Sequence, residues 1–155
     1  TSPSRTANSK RPSEMGAGYQ RMLPRLDDLN RFYWTSGEDG VLRMLRCQDC
    51  SFWVHPPQPV CPKCLTKHLA PEPLSGRGTV FSYTVNEKAW GPGLEVPYVI
   101  GVVRLDEQDG LQLTTNICGI ASDQVHIGMR VRVTFDHDED IWLPMFEPEA
   151  IRNAA

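Results

Sequence analysis

Apolar and polar side chains alternate with a period of two in three segments of the C-terminal half of the chain. These segments are residues 79–85, 111–117 and 130–135. Such alternation is typical of a β-strand with one buried face. Residues 97–105 form a more continuous apolar run, which fits a central strand. A fifth strand is predicted at residues 141–146, where Pro144 favours a position at the edge of a sheet.

These five strands predict a mainly β domain over residues 76–148. No helical pattern in that range is long enough to connect two parallel strands, and residues 107–110 (EQDG) suit a hairpin turn. A small five-stranded barrel of the OB type fits this count. A compact sandwich is the alternative.

A short helical pattern precedes the β-rich part at residues 25–36. The apolar residues on one side of this helix are Leu26, Leu29, Phe32 and Tyr33. Asp27 and Asp28 suit its first turn, and Gly37 together with the Glu-Asp-Gly that follows it (residues 38–40) is expected to end it. Residues 41–46 are predicted to form a connecting strand.

The predicted organisation of the chain has five parts. They are a disordered lead or linker at residues 1–24, the N-terminal helix and connecting strand at 25–46, a rubredoxin-like zinc ribbon at 47–75, the OB-fold domain at 76–148 and a tail at 149–155. Within the ribbon, residues 65–76 are interpreted as a linker because they contain two prolines and a Ser-Gly pair.

Four of the five cysteines occur as two C-x2-C pairs, Cys47 with Cys50 and Cys61 with Cys64. Each pair places two thiolates on one side of a tight loop, and two facing pairs complete the tetrahedron that zinc requires. We therefore predict one structural zinc ion bound by these four residues. An iron–sulfur centre and disulfides are the alternatives.

Other residues near the cysteines do not change this interpretation. His55 and His68 are candidate competing ligands, but four thiolates already close the tetrahedron and leave no open position for catalysis. Ser51 stands where a glycine often follows the second cysteine of a knuckle, which makes the tight turn less assured. Cys118 is expected to be a buried apolar residue.

Charge and composition exclude several classes of function. Residues 76–155 carry six basic and twelve acidic side chains. This charge speaks against a nucleic-acid-binding barrel, since neutralisation of phosphates supplies much of the affinity in such proteins. No long apolar run predicts a membrane span, and no signal pattern is present at the N-terminus, so we expect a cytoplasmic protein.

No known catalytic motif is present in the sequence. The residues hardest to explain as structural are Trp90, Pro92, Leu94 and Tyr98, in an apolar segment between the first two strands of the barrel. Apolar loops of this kind often mark a surface that binds a partner or ligand. Folding back over the mouth of the barrel is the alternative.

Several phrases of the sequence are together similar to one known family. They are LNRFYW, GVLRMLRCQDCSFWVHPPQPVCPKC, LSGRGTVFSYTV, PYVIGVVRLDEQDGLQLTTNI and IGMRVRVTF. In this order they resemble the zinc-ribbon plus OB-fold proteins associated with acyl-CoA metabolism. The resemblance covers residues 25–148.

The resemblance implies an accessory subunit or domain that binds a thiolase-fold enzyme in a hetero-oligomer. Some members of the family partner thiolases. Others form the C-terminal part of a steroid side-chain hydratase subunit and dock a thiolase-like aldolase, a lyase that cleaves a β-hydroxyacyl-CoA. The substrate would be a CoA thioester, and the catalytic residues would lie mainly on the partner. The linker-like lead favours the second kind of member, a domain of a hydratase subunit that docks an aldolase.

The resemblance also implies that the N-terminal helix packs on the partner, with Phe32, Tyr33 and Trp34 as candidate anchors. The alternative is that Phe32 and Tyr33 hold the helix against the ribbon. Two other functions stay open for the chain: a nucleic-acid-binding zinc-ribbon/OB protein and an independent enzyme that binds or hydrolyses acyl-CoA.

Overall fold

The computed structural model describes residues 20–150, which form a short helical segment, a three-stranded ribbon and a five-stranded barrel. The helix is α1 (Arg31–Thr35), and 3-10 helices lie at Ser36–Asp39 and Ser122–Gln124. The ribbon contains β1 (Arg43–Cys47), β2 (Trp53–Val54) and β3 (Leu69–Pro73). The barrel contains β4 (Arg77–Asn86), β5 (Tyr98–Leu105), β6 (Gln112–Ile117), β7 (Arg130–Asp138) and β8 (Ile141–Pro148).

The ends of the chain are described only in part. Most of the predicted lead at residues 1–24 and most of the predicted tail at 149–155 lie outside the described residues. Residues 20–26 have no regular secondary structure. No helix within residues 20–150 is long and apolar enough to cross a membrane.

The barrel is closed in the order β4, β5, β6, β8, β7, which confirms the five-stranded OB-type prediction over a sandwich. The prediction that Pro144 places the last strand at an edge is wrong, because β8 lies between β6 and β7. Its ladder to β6 is a single pair, Ile117 with Phe146, two residues beyond the proline. The Pro144 carbonyl instead accepts a hydrogen bond from the Thr115 hydroxyl, at 2.9 Å.

The helix is shorter than the sequence pattern predicts. The Asp27 carboxylate accepts hydrogen bonds from the backbone N–H groups of Leu29 and Asn30, at 2.9 and 2.8 Å. These bonds cap a single turn that leads into the helix, where the Arg31 N–H donates to the Asp27 carbonyl at 3.0 Å, and α1 begins only at Arg31. Gly37 does not end the helical segment, since it lies inside the 3-10 helix that follows.

Gly37 has a packing role instead. A Cβ atom at this position would overlap the ring of Phe135 and the Cβ of Trp142, on the last two strands of the barrel. The helical segment ends at Gly40, whose φ of 77° lies in the left-handed region that glycine adopts at little cost. The close approach at Gly37 brings the segment against β7 and β8.

The residues interpreted as a linker at 65–76 contain a strand. β3 pairs with β1 over five residue pairs, from Arg43 with Pro73 to Cys47 with Leu69. The prolines that favoured a linker are tolerated because β3 is an edge strand of the order β2, β1, β3. The ribbon is therefore a complete small sheet.

The ribbon and the barrel share one hydrophobic core. Buried side chains from the helix and ribbon belong to the same cluster as those of the barrel: Tyr33, Leu42, Met44, Trp53 and Leu74 on one side, and Val80, Val99, Val103, Ile117 and Phe146 among those on the other. The ribbon is thus packed against the barrel through apolar contacts rather than tethered to it by a flexible connection.

One side chain of the barrel also holds the main chain of the ribbon. Gln108, in the turn between β5 and β6, accepts a hydrogen bond from the Trp53 N–H at 2.8 Å and donates one to the Trp53 carbonyl at 3.1 Å. The neighbouring Glu107 carboxylate accepts a hydrogen bond from the Ser75 N–H at 2.6 Å. The turn therefore fixes the ribbon at two points.

Replacement of Gln108 by methionine should destabilise the chain by about 1–3 kcal/mol, because the substitution leaves the main-chain groups of Trp53 without their partners at a similar side-chain volume. The free energy of unfolding in urea, followed by tryptophan fluorescence, measures this loss. The matched control is Gln124→Met, an exposed glutamine of the second 3-10 helix whose side chain makes no hydrogen bond within the described residues. Equal stabilities of the two variants would contradict the role given to Gln108.

Candidate functional site: a metal centre of four cysteines

The two cysteine pairs fold into knuckles with the same main-chain geometry. The N–H of Ser51 donates to the Cys47 carbonyl at 2.9 Å, and the N–H of Leu65 donates to the Cys61 carbonyl at 3.0 Å. Ser51 and Leu65 both have a φ of 63°, in the left-handed region. The absence of glycine therefore does not prevent the tight turn, although each such residue costs about 1–2 kcal/mol.

The ribbon sheet brings the two knuckles to the same end. The first knuckle follows β1, which ends at Cys47. The second precedes β3, whose first residue, Leu69, pairs with Cys47. A further hydrogen bond, from the Gln48 N–H to the His68 carbonyl at 2.8 Å, closes the space between them. The thiols of both pairs thus face one another across a short gap.

The four sulfur atoms have the spacing of a tetrahedral zinc site. All four Sγ atoms lie within 4.8 Å of one another. The distances are 3.5 Å between Cys47 and Cys64 and 3.7 Å between Cys50 and Cys61. A tetrahedron with Zn–S bonds of about 2.3 Å has sulfur–sulfur edges of about 3.8 Å. The four residues therefore fit a zinc ion, as the sequence predicts.

The backbone of the first knuckle favours the thiolate of Cys47, whereas burial and the neighbouring thiols raise the pKa of Cys50. Desolvation raises the pKa of the Cys47 thiol, but the backbone N–H groups of Cys50 and Asp49 outweigh this effect and bring the pKa to about 7. The Cys50 N–H lies 3.4 Å from the Cys47 Sγ. A zinc ion at this centre supplies cross-linking of the ribbon, and a closed set of four thiolates leaves no coordination position for a reacting water.

The two histidines near the knuckles do not belong to the group of four metal-binding residues. His68 is exposed, and its Nδ1 lies 3.3 Å from the Asp49 carboxylate. The His55 ring packs 4.9 Å from the Tyr33 ring. Burial lowers the pKa of His55 to about 4, and its buried Nδ1 has no hydrogen-bond partner among the described residues. Cys118 is buried, as predicted, and lies outside the group of four.

The six residues predicted to bind a partner lie in two places. Tyr33 is only 4% exposed and packs edge to face against Trp34, so its ring belongs to the core. Phe32 and Trp34 are half-buried against the same core. The remaining three lie in the hairpin loop between β4 and β5 or at its edge: Trp90, Leu94 and Tyr98.

The loop does not fold back over the barrel, because the Trp90 side chain is 71% exposed. Sequence reasoning missed two further exposed aromatic residues. Alternation placed Phe81 and Tyr83 on one face, yet they are 42% and 37% exposed. A β-bulge between Val80 and Ser82 shifts the register, and the pairing of β4 with β7 ends just before it, at Thr79, while its pairing with β5 continues. The sequence signal for this change is weak, since the strand keeps its uncharged β-forming composition.

Substitution of Cys61 by serine should release the zinc ion and unfold the ribbon, because three thiolates no longer complete the tetrahedron. Zinc content by elemental analysis and the unfolding transition by circular dichroism check this outcome. Cys118→Ser is the matched control and should keep its zinc, since it removes a buried thiol outside the centre. A folded Cys61→Ser protein with full zinc would refute the ligand assignment.

The chain should lose stability as the pH falls from 7 to 5, in part through His55. Its folded-state pKa of about 4 lies below the ordinary histidine value of 6.5, so the unfolded state binds the proton more tightly in this window. His55→Gln should reduce the pH dependence by about 2 kcal/mol. Urea unfolding of both proteins at the two pH values, in buffer with excess zinc, measures the difference. Parallel pH profiles would contradict this role.

Models of two known domain families match successive parts of the chain. The "ChsH2, rubredoxin-like zinc ribbon domain" matches residues 34–68, and the "ChsH2, C-terminal OB-fold domain" matches residues 71–136. The first match contains all four cysteines of the metal centre, and the second contains β4 to β6 and most of β7.

Three curated proteins are similar to the chain. A "Probable enoyl-CoA hydratase alpha subunit" of Thermomonospora curvata is 36% identical over 83% of this chain. The "3-oxo-4,17-pregnadiene-20-carboxyl-CoA hydratase alpha subunit" of Mycobacterium tuberculosis is 34% identical over 83%. The chain spans only 40% of the length of each of these proteins. A "DUF35 domain-containing scaffold protein" of Methanocaldococcus jannaschii is 36% identical over 59% of this chain and 64% of its own length.

A solved structure extends the similarity to three dimensions. A chain of the "Ltp2-ChsH2(DUF35) aldolase" is 35% identical, with a TM-score of 0.74, over 81% of this chain and 98% of that one. Nearly the full length of that solved chain is thus matched. Since the ribbon and the barrel match the two ChsH2 models in the same order, the chain belongs to the ChsH2 (DUF35) family of zinc-ribbon plus OB-fold proteins.

Proposed function

We propose that this chain is a non-catalytic subunit or domain that binds and supports a thiolase-like enzyme acting on acyl-CoA thioesters. The reaction of the complex is a retro-aldol cleavage in the degradation of a steroid side chain. The observation that carries the proposal is the similarity of the ribbon and barrel together to a chain of the Ltp2-ChsH2(DUF35) aldolase. The names of the curated relatives support a CoA thioester as substrate and a scaffold role.

The chemistry of the metal centre favours a structural rather than a catalytic role for the zinc ion. The zinc ligands are four thiolates, so the ion braces the ribbon and does not activate water. The ribbon is in turn held to the barrel by the shared core and by Gln108. A rigid platform of this kind presents its surface to a partner without losing conformational entropy on binding.

The proposed binding surface is the end of the β4–β5 hairpin, which we call the hairpin surface. It combines exposed or half-buried apolar side chains from both strands and from the loop: Phe81, Tyr83, Trp90, Leu94, Val96 and Tyr98. Aromatic residues that lose their water on binding dominate the energetics of most interfaces. Trp90 is the largest and most exposed of these aromatic residues and is therefore the expected anchor.

The helix supplies a second, smaller contribution to binding. Phe32 and Trp34 keep part of their surface accessible, whereas Tyr33 is committed to the core. A cavity of about 540 Å³ opens beside them, between the helix, the ribbon and β6. Its lining includes Trp34, His55 and Thr114, which offer both ring faces and polar atoms to a side chain of the partner.

Trp90→Ala should weaken the complex with the proposed thiolase-like partner enzyme by roughly 30-fold, the loss expected for an interface anchor of about 2 kcal/mol. Isothermal titration of the purified proteins measures this change. Ile127→Ala is the control, because Ile127 is 67% exposed but lies outside the hairpin surface. Equal losses of affinity in both variants would exclude the hairpin surface as the binding site. Failure of the wild-type chain to bind the enzyme would exclude the proposed function.

The products of the reaction distinguish the aldolase from a thiolase. The complex should convert a β-hydroxyacyl-CoA with a steroid side chain into a carbonyl compound and a shortened acyl-CoA without added CoA. A thiolase would instead require free CoA and a β-ketoacyl-CoA. Mass spectrometry of the products, with the isolated chain as control, checks this outcome. Full turnover by the isolated chain would contradict a non-catalytic role.

A further inference from the structure

The outer half of β4 is an unpaired edge. β4 pairs with β7 only at Arg77, Gly78 and Thr79, and with β5 along nearly its full length. Residues 81–84 are all exposed, so neither face of this stretch is covered. Within residues 20–150, no strand pairs with β4 beyond Thr79 on the side opposite β5. The barrel sheet therefore has a free edge beside its apolar hairpin.

The main-chain hydrogen bonds of β5 show which groups of β4 face this edge. The Leu105 N–H donates to the Leu111 carbonyl, and the Val99 carbonyl accepts from the Asn116 side chain, so alternate residues of β5 face β6. In an antiparallel pair, the residues opposite these point their main-chain groups away from β5. Val99 and Gly101 lie opposite Val85 and Tyr83.

Tyr83 and Val85 thus direct two N–H donors and two carbonyl acceptors to the free edge. The corresponding groups of Val80 are satisfied, since its N–H donates to the Met129 carbonyl and its carbonyl accepts from the Gly128 N–H. No group in the described part of the chain bonds those of Tyr83 or Val85 from that side. Four hydrogen-bonding groups at strand spacing match only another extended main chain.

The side chains of the edge strand itself do not protect it. Natural sheets block free edges with charge, and the β7–β8 hairpin carries such charge at its tip, in Asp138, Glu139 and Asp140. Residues 79–86 of β4 (TVFSYTVN) contain no charged residue. An unprotected edge of β-forming residues is the usual template for strand addition.

Two basic side chains flank the edge without a counter-charge. The Arg104 guanidinium lies 3.8 Å from the Phe81 ring, and the Lys88 ammonium lies 4.9 Å from the Trp90 ring. Neither forms an ion pair with a carboxylate in the described part of the chain. Their charges favour an incoming strand that carries a carboxylate.

We propose that an extended segment of the partner enzyme, carrying at least one carboxylate, pairs with the free edge of β4 at Tyr83 and Val85. The segment adds a strand to the barrel sheet, and its carboxylate lies beside Arg104 or Lys88. The inference rests on the proposed function for the identity of the partner. A second copy of this chain fits the edge less well, because its residues 78–86 contain no carboxylate.

Tyr83→Pro tests the pairing directly, since proline removes the outward N–H but leaves the bonds of the strand to β5. Proline is tolerated in an edge strand whose N–H faces solvent. Tyr83→Ala is the matched control, because it removes the same aromatic ring and keeps the N–H. With the proposed thiolase-like partner enzyme as probe, Tyr83→Pro should bind at least roughly tenfold more weakly than Tyr83→Ala. Equal affinities would overturn the pairing.

Residue-resolved hydrogen exchange of the wild-type chain provides a second measurement that does not depend on any variant. The amide protons of Tyr83 and Val85 should exchange rapidly in the free chain and about 100-fold more slowly in the complex. A stable complex in which these two amides stay unprotected would overturn the inference and leave the proposed function intact. Absence of any complex would overturn both.

Light scattering of the isolated chain decides whether a segment of the partner enzyme or a second copy of this chain pairs with the free edge. The wild-type chain should be monomeric at micromolar concentration. A wild-type dimer that Tyr83→Pro converts to a monomer would replace the partner segment with a second copy. Removal of the flanking charge by Arg104→Gln together with Lys88→Gln should weaken binding of the enzyme most at low salt. No change in affinity at low salt would overturn the acidic character of the segment.

Discussion

Four sulfur atoms at tetrahedral spacing are the constraint on which the ribbon depends. The sheet of β1, β2 and β3 contains few residues and buries little apolar surface by itself, so cross-linking of its two knuckles replaces the core that a larger sheet would have. Its strained residues, Ser51 and Leu65, are tolerated for the same reason. The metal thus stabilises an arrangement that the local sequence would not favour.

The ribbon in turn completes the barrel. Side chains such as Met44 and Trp53 join the cluster that contains Val103 and Phe146, and Gln108 holds the main chain of the ribbon. Loss of the metal centre should therefore also destabilise the barrel, because the two parts share one packed core. In the proposed complex, the hairpin surface and its free edge lie on β4 and β5, which belong to this shared core. The zinc ion acts on the partner through rigidity, not through chemistry.

Much of the fold follows from the sequence because its signals are local. The period of two located the strands of the barrel, and the spacing of the cysteines located the metal centre. Other features depend on contacts between distant segments. The pairing of β3 with β1 overrides the prolines of the supposed linker, and α1 is shorter than the apolar pattern of residues 25–36 predicts. The exposure of Tyr83, on a stretch of β4 with neither face covered, has no signature in composition, so alternation alone did not predict it. The position of β8 also depends on closure of the barrel, which no single strand encodes.

The turn between β5 and β6 has a further consequence for the evolution of this family. Its side chains reach two separate main-chain positions outside the barrel, Trp53 and Ser75. An inserted or deleted residue would displace Glu107 and Gln108 together, so relatives that keep both contacts must keep the length of this turn. The loop at the other end of β5, residues 87–97, is mostly exposed, and its Trp90 side chain is 71% exposed. Differences in length between relatives, and with them changes in partner, should therefore accumulate at residues 87–97.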